Sequence, residues 1–263
     1  MPSTSGGGNN LFQNETMAPY SPFRMLGEAF RAVQENLSAL FAYWAIILPV
    51  AALDIARQQF LEGAESAFQG WRNALISVTL MVLESAATAL AASVAFSRMG
   101  RELDKPLWKV QDDREAVRRF FPLWFLFSLA LGVFSLISTL LAVVTEDAAL
   151  HLALLLTYVV AAVLTIPLGA CIMFSGRVHW DRLGETLEPL ANQALGIAVF
   201  VLFGVVAYIF LLSLAISIPP HLAFAKLAIH IVGGYCDCVI FAGVWLIYRA
   251  DRDSPPDEED FDF

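Results

Sequence analysis

Three ionisable side chains fall in stretches that are otherwise apolar enough to lie in a bilayer. Glu84 sits within SVTLMVLESAATALAASVAF, and His230 and Asp237 within LAIHIVGGYCDCVIFAGVWL. Ionisable groups at mid-membrane are costly and usually face protein or a water-filled cavity, so a site is sought there first. His230 precedes Asp237 by two helical turns, which puts both on one face of a helix. Glu84 lies 14 residues before Arg98 and Asp237 lies 12 before Arg249. At 1.5 Å per residue those separations are about 21 and about 18 Å, so the two acids share a depth. Each acid borders small residues at helical spacing, Ser85, Ala89, Ser93 and Ser97 in one case and Gly234, Cys238 and Ala242 in the other. Such stripes allow close helix approach. The sequence therefore predicts that the two helices pack through them and bring Glu84 and Asp237 together, with at least one carboxyl protonated because two adjacent carboxylates in low dielectric cannot both ionise cheaply. Two uses follow: a proton relay or cation site completed by His230, or hydrogen bonding that holds helices together. The second is the commoner use of such groups.

No other pattern carries chemistry with comparable force. Cys236-Asp237-Cys238 places two thiols at i and i+2, on separated sides of a helix, so they do not readily chelate one metal. Cys171, Cys236 and Cys238 all sit in apolar runs and read as small buried fillers. His179-Trp180-Asp181-Arg182 lacks a second acid or a nucleophile at a recognised spacing. The chain contains no phosphate-binding Gly-rich loop ending in Lys-Ser/Thr, no His-Glu-x-x-His and no Gly-x-Ser-x-Gly. The expectation is a protein that is not an enzyme and that carries no cofactor or metal.

The elements that position these residues follow from composition. The 263 residues are 58% hydrophobic and only 16% charged, with mean hydropathy +0.64. A soluble domain carries roughly 25% charged residues, so that class is excluded. The fold class expected is all-α: a polytopic membrane protein with six transmembrane helices arranged as three hairpins, accompanied by interfacial amphipathic helices. Apolar stretches of spanning length run from Leu37 to Leu53, Ala74 to Phe96, Phe120 to Val144, Ala149 to Phe174, Leu190 to Ile218 and Leu222 to Tyr248. Residues 1–20, rich in Gly, Ser and Asn, form a disordered tail, 21–252 the membrane domain, and 253–263 an acidic tail. Pro167 is expected to kink span four, and Arg57 to Trp71 to form a further interfacial helix or an extension of span one.

Lys and Arg set the orientation. Arg98, Arg101, Lys105, Lys109, Arg114, Arg118 and Arg119 cluster between spans two and three, and alternate connections divide 13 basic residues from 3. By the positive-inside rule both termini are cytoplasmic. That seven-residue cluster, with Trp108, is also a candidate surface for anionic lipid headgroups, although a basic loop is what topology alone requires. A net charge of -9 argues against nucleic acid as a partner.

Before span one, Phe23, Leu26, Phe30, Val33 and Leu37 recur at helical spacing opposite Arg24, Glu28, Arg31 and Glu35, the pattern of an amphipathic helix in the membrane interface. Similar polar-then-apolar approaches precede spans three and five, which suggests three tandem units of a helix followed by a hairpin. The stretch Phe23 to Ala52, through Ala29-Phe30 and Asn36-Leu37, resembles the opening of the six-span membrane domain attached to some bacterial glycerophosphodiester phosphodiesterases and of related free-standing bacterial membrane proteins. The resemblance implies an accessory or organising domain of a bacterial inner membrane. It carries over no catalytic residue.

The last eleven residues hold six acids and no base, so without them the net charge changes from -9 to -3. Phe261 and Phe263 make this tail a candidate docking peptide for another membrane or cytoplasmic protein, or simply a solvated end. The leading functional expectation is an assembly, scaffold or envelope-organising factor that acts through protein and lipid contacts. The alternative is a small-solute or proton-coupled transporter that uses Glu84, Asp237 and His230. A scaffold tolerates neutralisation of both acids and loses its partner when the tails or amphipathic helices change; a transporter behaves in the opposite way.

Overall fold

The computed structural model of the chain describes residues 21–61, 70–104, 108–145, 147–175, 183–219 and 222–252. These residues form helices and connections with no strand: α1 (Pro22–Glu35), α2 (Leu37–Leu61), α3 (Gly70–Leu103), α4 (Asp113–Thr145), α5 (Ala148–Ser175), α6 (Leu183–Asn192), α7 (Ala194–Ser217) and α8 (Ala223–Arg252). Six of them, α2 to α5, α7 and α8, are long and apolar enough to cross a membrane. The protein is a multi-pass helical membrane protein. Large apolar side chains such as Leu202, Val206 and Phe210 remain exposed on the outer surface of α7, as a helix facing lipid requires.

The connections α3–α4 and α6–α7 lie at one end of the bundle, the proximal end, together with α1. The end of α2 and start of α3, the end of α4 and start of α5, and the end of α7 and start of α8 lie at the other, distal end. α8 is the axis: 56% of its apolar window is buried, against at most 28% for any other span. It packs against α1, α2, α3, α5, α6 and α7. Small residues make that possible. Phe200 on α7 lies so close to Gly243 that a β-carbon there would meet its ring, and Gly204 on α7 is pressed by Val163 and Ile240.

The helix breaks explain how the short helices reach the bundle. Asn36 separates α1 from α2 at φ -115°, ψ 44°, and its side-chain amide donates to the Ala32 carbonyl at 2.7 Å. A short polar side chain that bonds the backbone competes with helix continuation, which is what Asn does here. Gln193 separates α6 from α7 with nearly the same dihedral angles, φ -110° and ψ 42°. Units one and three therefore share a helix, a one-residue break and a spanning helix. Unit two differs from the expected repeat. No interfacial helix precedes α4 among the described residues, and α4 begins at Asp113, where Asp112 caps its first turn by accepting from the Glu115 amide at 2.6 Å. α1 buries Met25, Ala29, Ala32 and Val33 rather than the whole apolar face expected from the sequence, and Phe23 stays 76% exposed. The reason is that α1 docks on α8 and α7, where Phe30 meets the rings of Phe203 and Tyr235 at 5.5 and 5.9 Å. Of the stretch expected to form an outer interfacial helix, 57–61 extends α2, 70–71 opens α3, and 62–69 lies outside the described residues.

Contact at Gly243 predicts an asymmetry between glycines. Gly243→Val has to displace the Phe200 ring and is expected to lower stability by about 1–3 kcal/mol, the usual range for overpacking. Gly27, on α1 with open space around it, is expected to accept Ala with no loss. Thermal unfolding in detergent, followed by intrinsic fluorescence, checks both.

Candidate functional site

Each spanning helix contributes one stripe of side chains to a central cavity of about 660 Å3. On α8 the stripe is Lys226, His230, Gly233, Gly234 and Asp237, at three- and four-residue steps that keep a single face turned inward. On α3 it is Met81, Glu84, Ser85, Thr88, Ala92 and Phe96. The two acids and the histidine singled out in the sequence thus meet a common space: Glu84, His230 and Asp237 all line it, and Asp54 of α2 joins them.

The cavity is graded along its length. Near the distal turns its wall includes Ile216, close to the end of α7, and Lys226, close to the start of α8. Glu84 and His230 are exposed side chains at intermediate depth, while Asp237 is buried, with 8% of its surface accessible. From Lys226 to Asp237 the helix rises by about 16 Å at 1.5 Å per residue. Below Asp237 the proximal third closes. Phe96 stacks on Phe241 with ring centroids 4.5 Å apart, and Phe241 stacks in turn on Phe174 at 5.3 Å. Trp124 meets Phe96 edge-on at 5.3 Å, and Tyr248 and Trp108 pack on Phe174. These rings form a continuous apolar plug between cavity and proximal face.

Asp237 finds its partners at the cavity base. The Tyr43 hydroxyl of α2 donates to Oδ2 at 2.7 Å, and the Tyr208 hydroxyl of α7 donates to Oδ1 at 2.6 Å. One carboxyl group therefore links three helices. Two further features place Tyr43. Gly234 leaves room for its ring, since a β-carbon there would lie 2.7 Å from the Tyr43 ring atoms, and Trp44 donates its indole N–H to the Ile231 carbonyl at 3.0 Å. On the opposite wall Gly169 of α5 leaves room for Trp124, whose indole N–H points to Met173 Sδ at 3.4 Å.

The arrangement differs from the predicted packing of spans two and six through their small-residue stripes. α3 packs chiefly against α2 and α4, and Ser85 lies beside Gly132 of α4. Gly234 of α8 receives α2 instead. On the proximal side α3 and α8 meet through the Phe96–Phe241 stack, and the cavity lies above it. Tyr43, Tyr208, Tyr158, Asp54 and Lys226 also line the cavity, and no motif in the sequence marks them. A weaker signal is present: Tyr43 and Tyr208 stand inside spans rather than in the interfacial belt where tyrosine is usual. A phenol at that depth needs an acceptor.

Two of the seven basic residues are spent within the fold. Arg98 donates to Asp113 Oδ2 from Nε at 2.9 Å and from Nη2 at 2.5 Å, while Arg101 reaches Oδ1 at 2.5 Å and the Gln111 carbonyl at 2.6 Å. These bonds tie the end of α3 to the start of α4, so Arg98 and Arg101 serve the connection rather than a headgroup. Arg119 lies over the Phe120 ring at 5.8 Å. Lys109, Arg114 and Arg118 are exposed. Lys105, the His179 to Arg182 cluster and the tail residues Phe261 and Phe263 lie outside the described residues. Cys171, Cys236 and Cys238 are free and buried, and no three metal-ligating side chains converge among the described residues. Pro167 is accommodated within the continuous helix α5. No protein family, curated protein or solved structure matches the chain.

Because the acceptor is a carboxyl group, the Tyr208–Asp237 bond is expected to exceed the average intramembrane hydrogen bond of about 0.6 kcal/mol. A double-mutant cycle of Tyr208→Phe and Asp237→Ala, read by denaturant unfolding in mixed micelles, is expected to give a coupling of about 1 kcal/mol or more. A coupling near zero would show that the pair does not act as a unit.

Proposed function

We propose that the protein is a carrier that takes a small polar solute into its central cavity from the distal side. One observation supports this reading above the others: ionisable side chains of α2, α3 and α8 line one cavity, in which Glu84 and His230 are exposed at intermediate depth and which is closed below by the aromatic plug. A cavity of about 660 Å3 falls in the range of small-molecule sites, roughly 300–1,000 Å3. An element that only held helices together would bury its polar groups between tightly packed faces, and would have no use for open volume reached by several hydroxyls and ionisable groups.

Carriage demands a second state in which the plug opens and the mouth narrows. The packing supports one division into moving parts. α8 is the fixed axis, and the Phe96–Phe241 and Trp124–Phe96 contacts connect it to the α3–α4 pair. That pair is itself clamped at its proximal end by Arg98, Arg101 and Asp113. A rocking of α3 and α4 against α8 would part the rings and join the cavity to the proximal face. The bacterial inner membrane, with the proximal face cytoplasmic, is the setting that fits the distribution of Lys and Arg.

The scaffold reading, which leans on the tails and amphipathic helices, gives a different experimental outcome. Thr88→Cys places a thiol on the cavity wall. In proteoliposomes of the full chain with fixed orientation, a membrane-impermeant methanethiosulfonate reagent is expected to modify it quickly from the distal side and slowly from the proximal side. Protection from the proximal side throughout, with rapid distal modification, would contradict carriage and leave a static vestibule. Because Cys171, Cys236 and Cys238 are buried, the unsubstituted chain supplies the background.

A further inference from the structure

The cavity base has a chemistry of its own, and the geometry points to a small organic cation, an ammonium or substituted ammonium compound, as the solute bound there. This rests on the carrier reading for its route but not for its binding site. Three observations lead to it. The first is charge: among the described residues the wall holds three carboxyl groups, of Asp54, Glu84 and Asp237, against two basic side chains, those of Lys226 and His230. An anion entering the cavity would meet that excess of acids.

The second observation is what remains of Asp237. A carboxylate offers about four lone-pair positions. The phenols of Tyr43 and Tyr208 occupy one on each oxygen, because both are placed to donate. This fixes the plane of the carboxylate, leaves acceptor capacity, and supplies no positive charge. A buried charge without a counter-ion is costly, so an acid in that position ionises only when a cationic partner is present, and a cationic solute would be that partner.

Aromatic rings are the third. Tyr43 and Tyr208 line the cavity beside the acid, while Phe96 and Trp124 close its floor with their rings packed on one another and on Phe241. Ring faces attract a cation within about 6 Å, most strongly when water is excluded, and combinations of aromatic faces with an acid suit ammonium groups that carry carbon substituents. An inorganic ion would instead call for a tight shell of oxygen ligands, in a space far smaller than about 660 Å3. Solute carbon against the rings and solute nitrogen beside Asp237 use both features of the floor.

The test is direct binding to the purified full chain in nanodiscs, measured by calorimetry. The probes are tetramethylammonium, butylammonium and choline, with 3,3-dimethylbutan-1-ol as the neutral compound of the same shape as choline. At least one cation is expected to bind ten times or more tightly than the neutral compound, and Asp237→Asn is expected to remove that preference. Tyr208→Phe keeps the ring and the acid but frees one carboxylate oxygen, so it is expected to change affinity severalfold while the preference for charge persists. Should Asp237→Asn fail to fold, Glu84→Gln reads the contribution of cavity charge, with a smaller loss expected. Equal binding of choline and its neutral counterpart, no binding of any cation at millimolar concentration, or a charge preference untouched by Asp237→Asn would each overturn the inference. Thiol access from two sides is measured separately. Cation binding with access from one side only would remove the carrier while keeping the cation site, and two-sided access without charge preference would do the reverse.

Discussion

A carboxyl group lowered into the middle of a helical bundle has to be satisfied by the protein around it, and the way Asp237 is satisfied organises the rest of the molecule. Its two oxygens are held by phenols from α2 and α7, helices that otherwise sit on different sides of α8. Three spans are thereby fixed in rotation at one depth. Gly234 is required on α8 so that the Tyr43 ring can reach the acid, and Trp44 adds a second bond from the same turn of α2 to the α8 backbone. Removing the acid would leave two hydroxyls without acceptors in an apolar setting, so the carboxyl group and its phenols stand or fall as a unit.

From that layer the bundle differs in the two directions. Proximally, rings fill the space between α3, α4, α5 and α8, and α1 and α6 cover the end of the bundle against α8. Distally, the stripes of α3 and α8 carry short or polar side chains, Ser85 and Thr88 on one and Gly233 and His230 on the other, and the helices do not close on one another. The cavity is thus a consequence of side-chain volume: large aromatics below the acid, and aliphatic, small and polar side chains above it. Its polarity is a consequence of the same sequence pattern, since groups that cannot face lipid turn inward.

The six apolar stretches and the inward placement of Glu84, His230 and Asp237 are legible in the amino-acid sequence, through periodicity and the cost of charge in lipid. The partners of Asp237 are not, because a stripe of small residues says that a helix can be approached closely without saying by which neighbour. Gly234 seems in sequence to admit span two and in fact admits Tyr43 of span one. Helix order around an axis is set by the sum of many packing contacts, and no local pattern in α8 names α2. The basic loop misleads for a related reason. Arg98 and Arg101 look available in sequence, yet Asp113, only 15 and 12 residues away, folds back onto both. The third unit of helix, break and span matches the first, whereas the second departs from it because Asp112 starts α4 without a preceding helix among the described residues.

Asp237, held by Tyr43 and Tyr208, forms the floor of an open cavity within the bundle that Glu84 and His230 also line, and the proposed binding site depends on that. The measurement that bears on it most directly is an electron cryo-microscopy map of the full chain in a lipid nanodisc, at a resolution that shows ordered water. The expected result is both tyrosine oxygens within hydrogen-bonding distance of the Asp237 carboxyl group, beneath a cavity containing ordered water or solute and reaching Glu84 and His230. A bundle with α3 and α8 closed against each other, acyl chains in place of the cavity, or tyrosines turned away from Asp237 would contradict it.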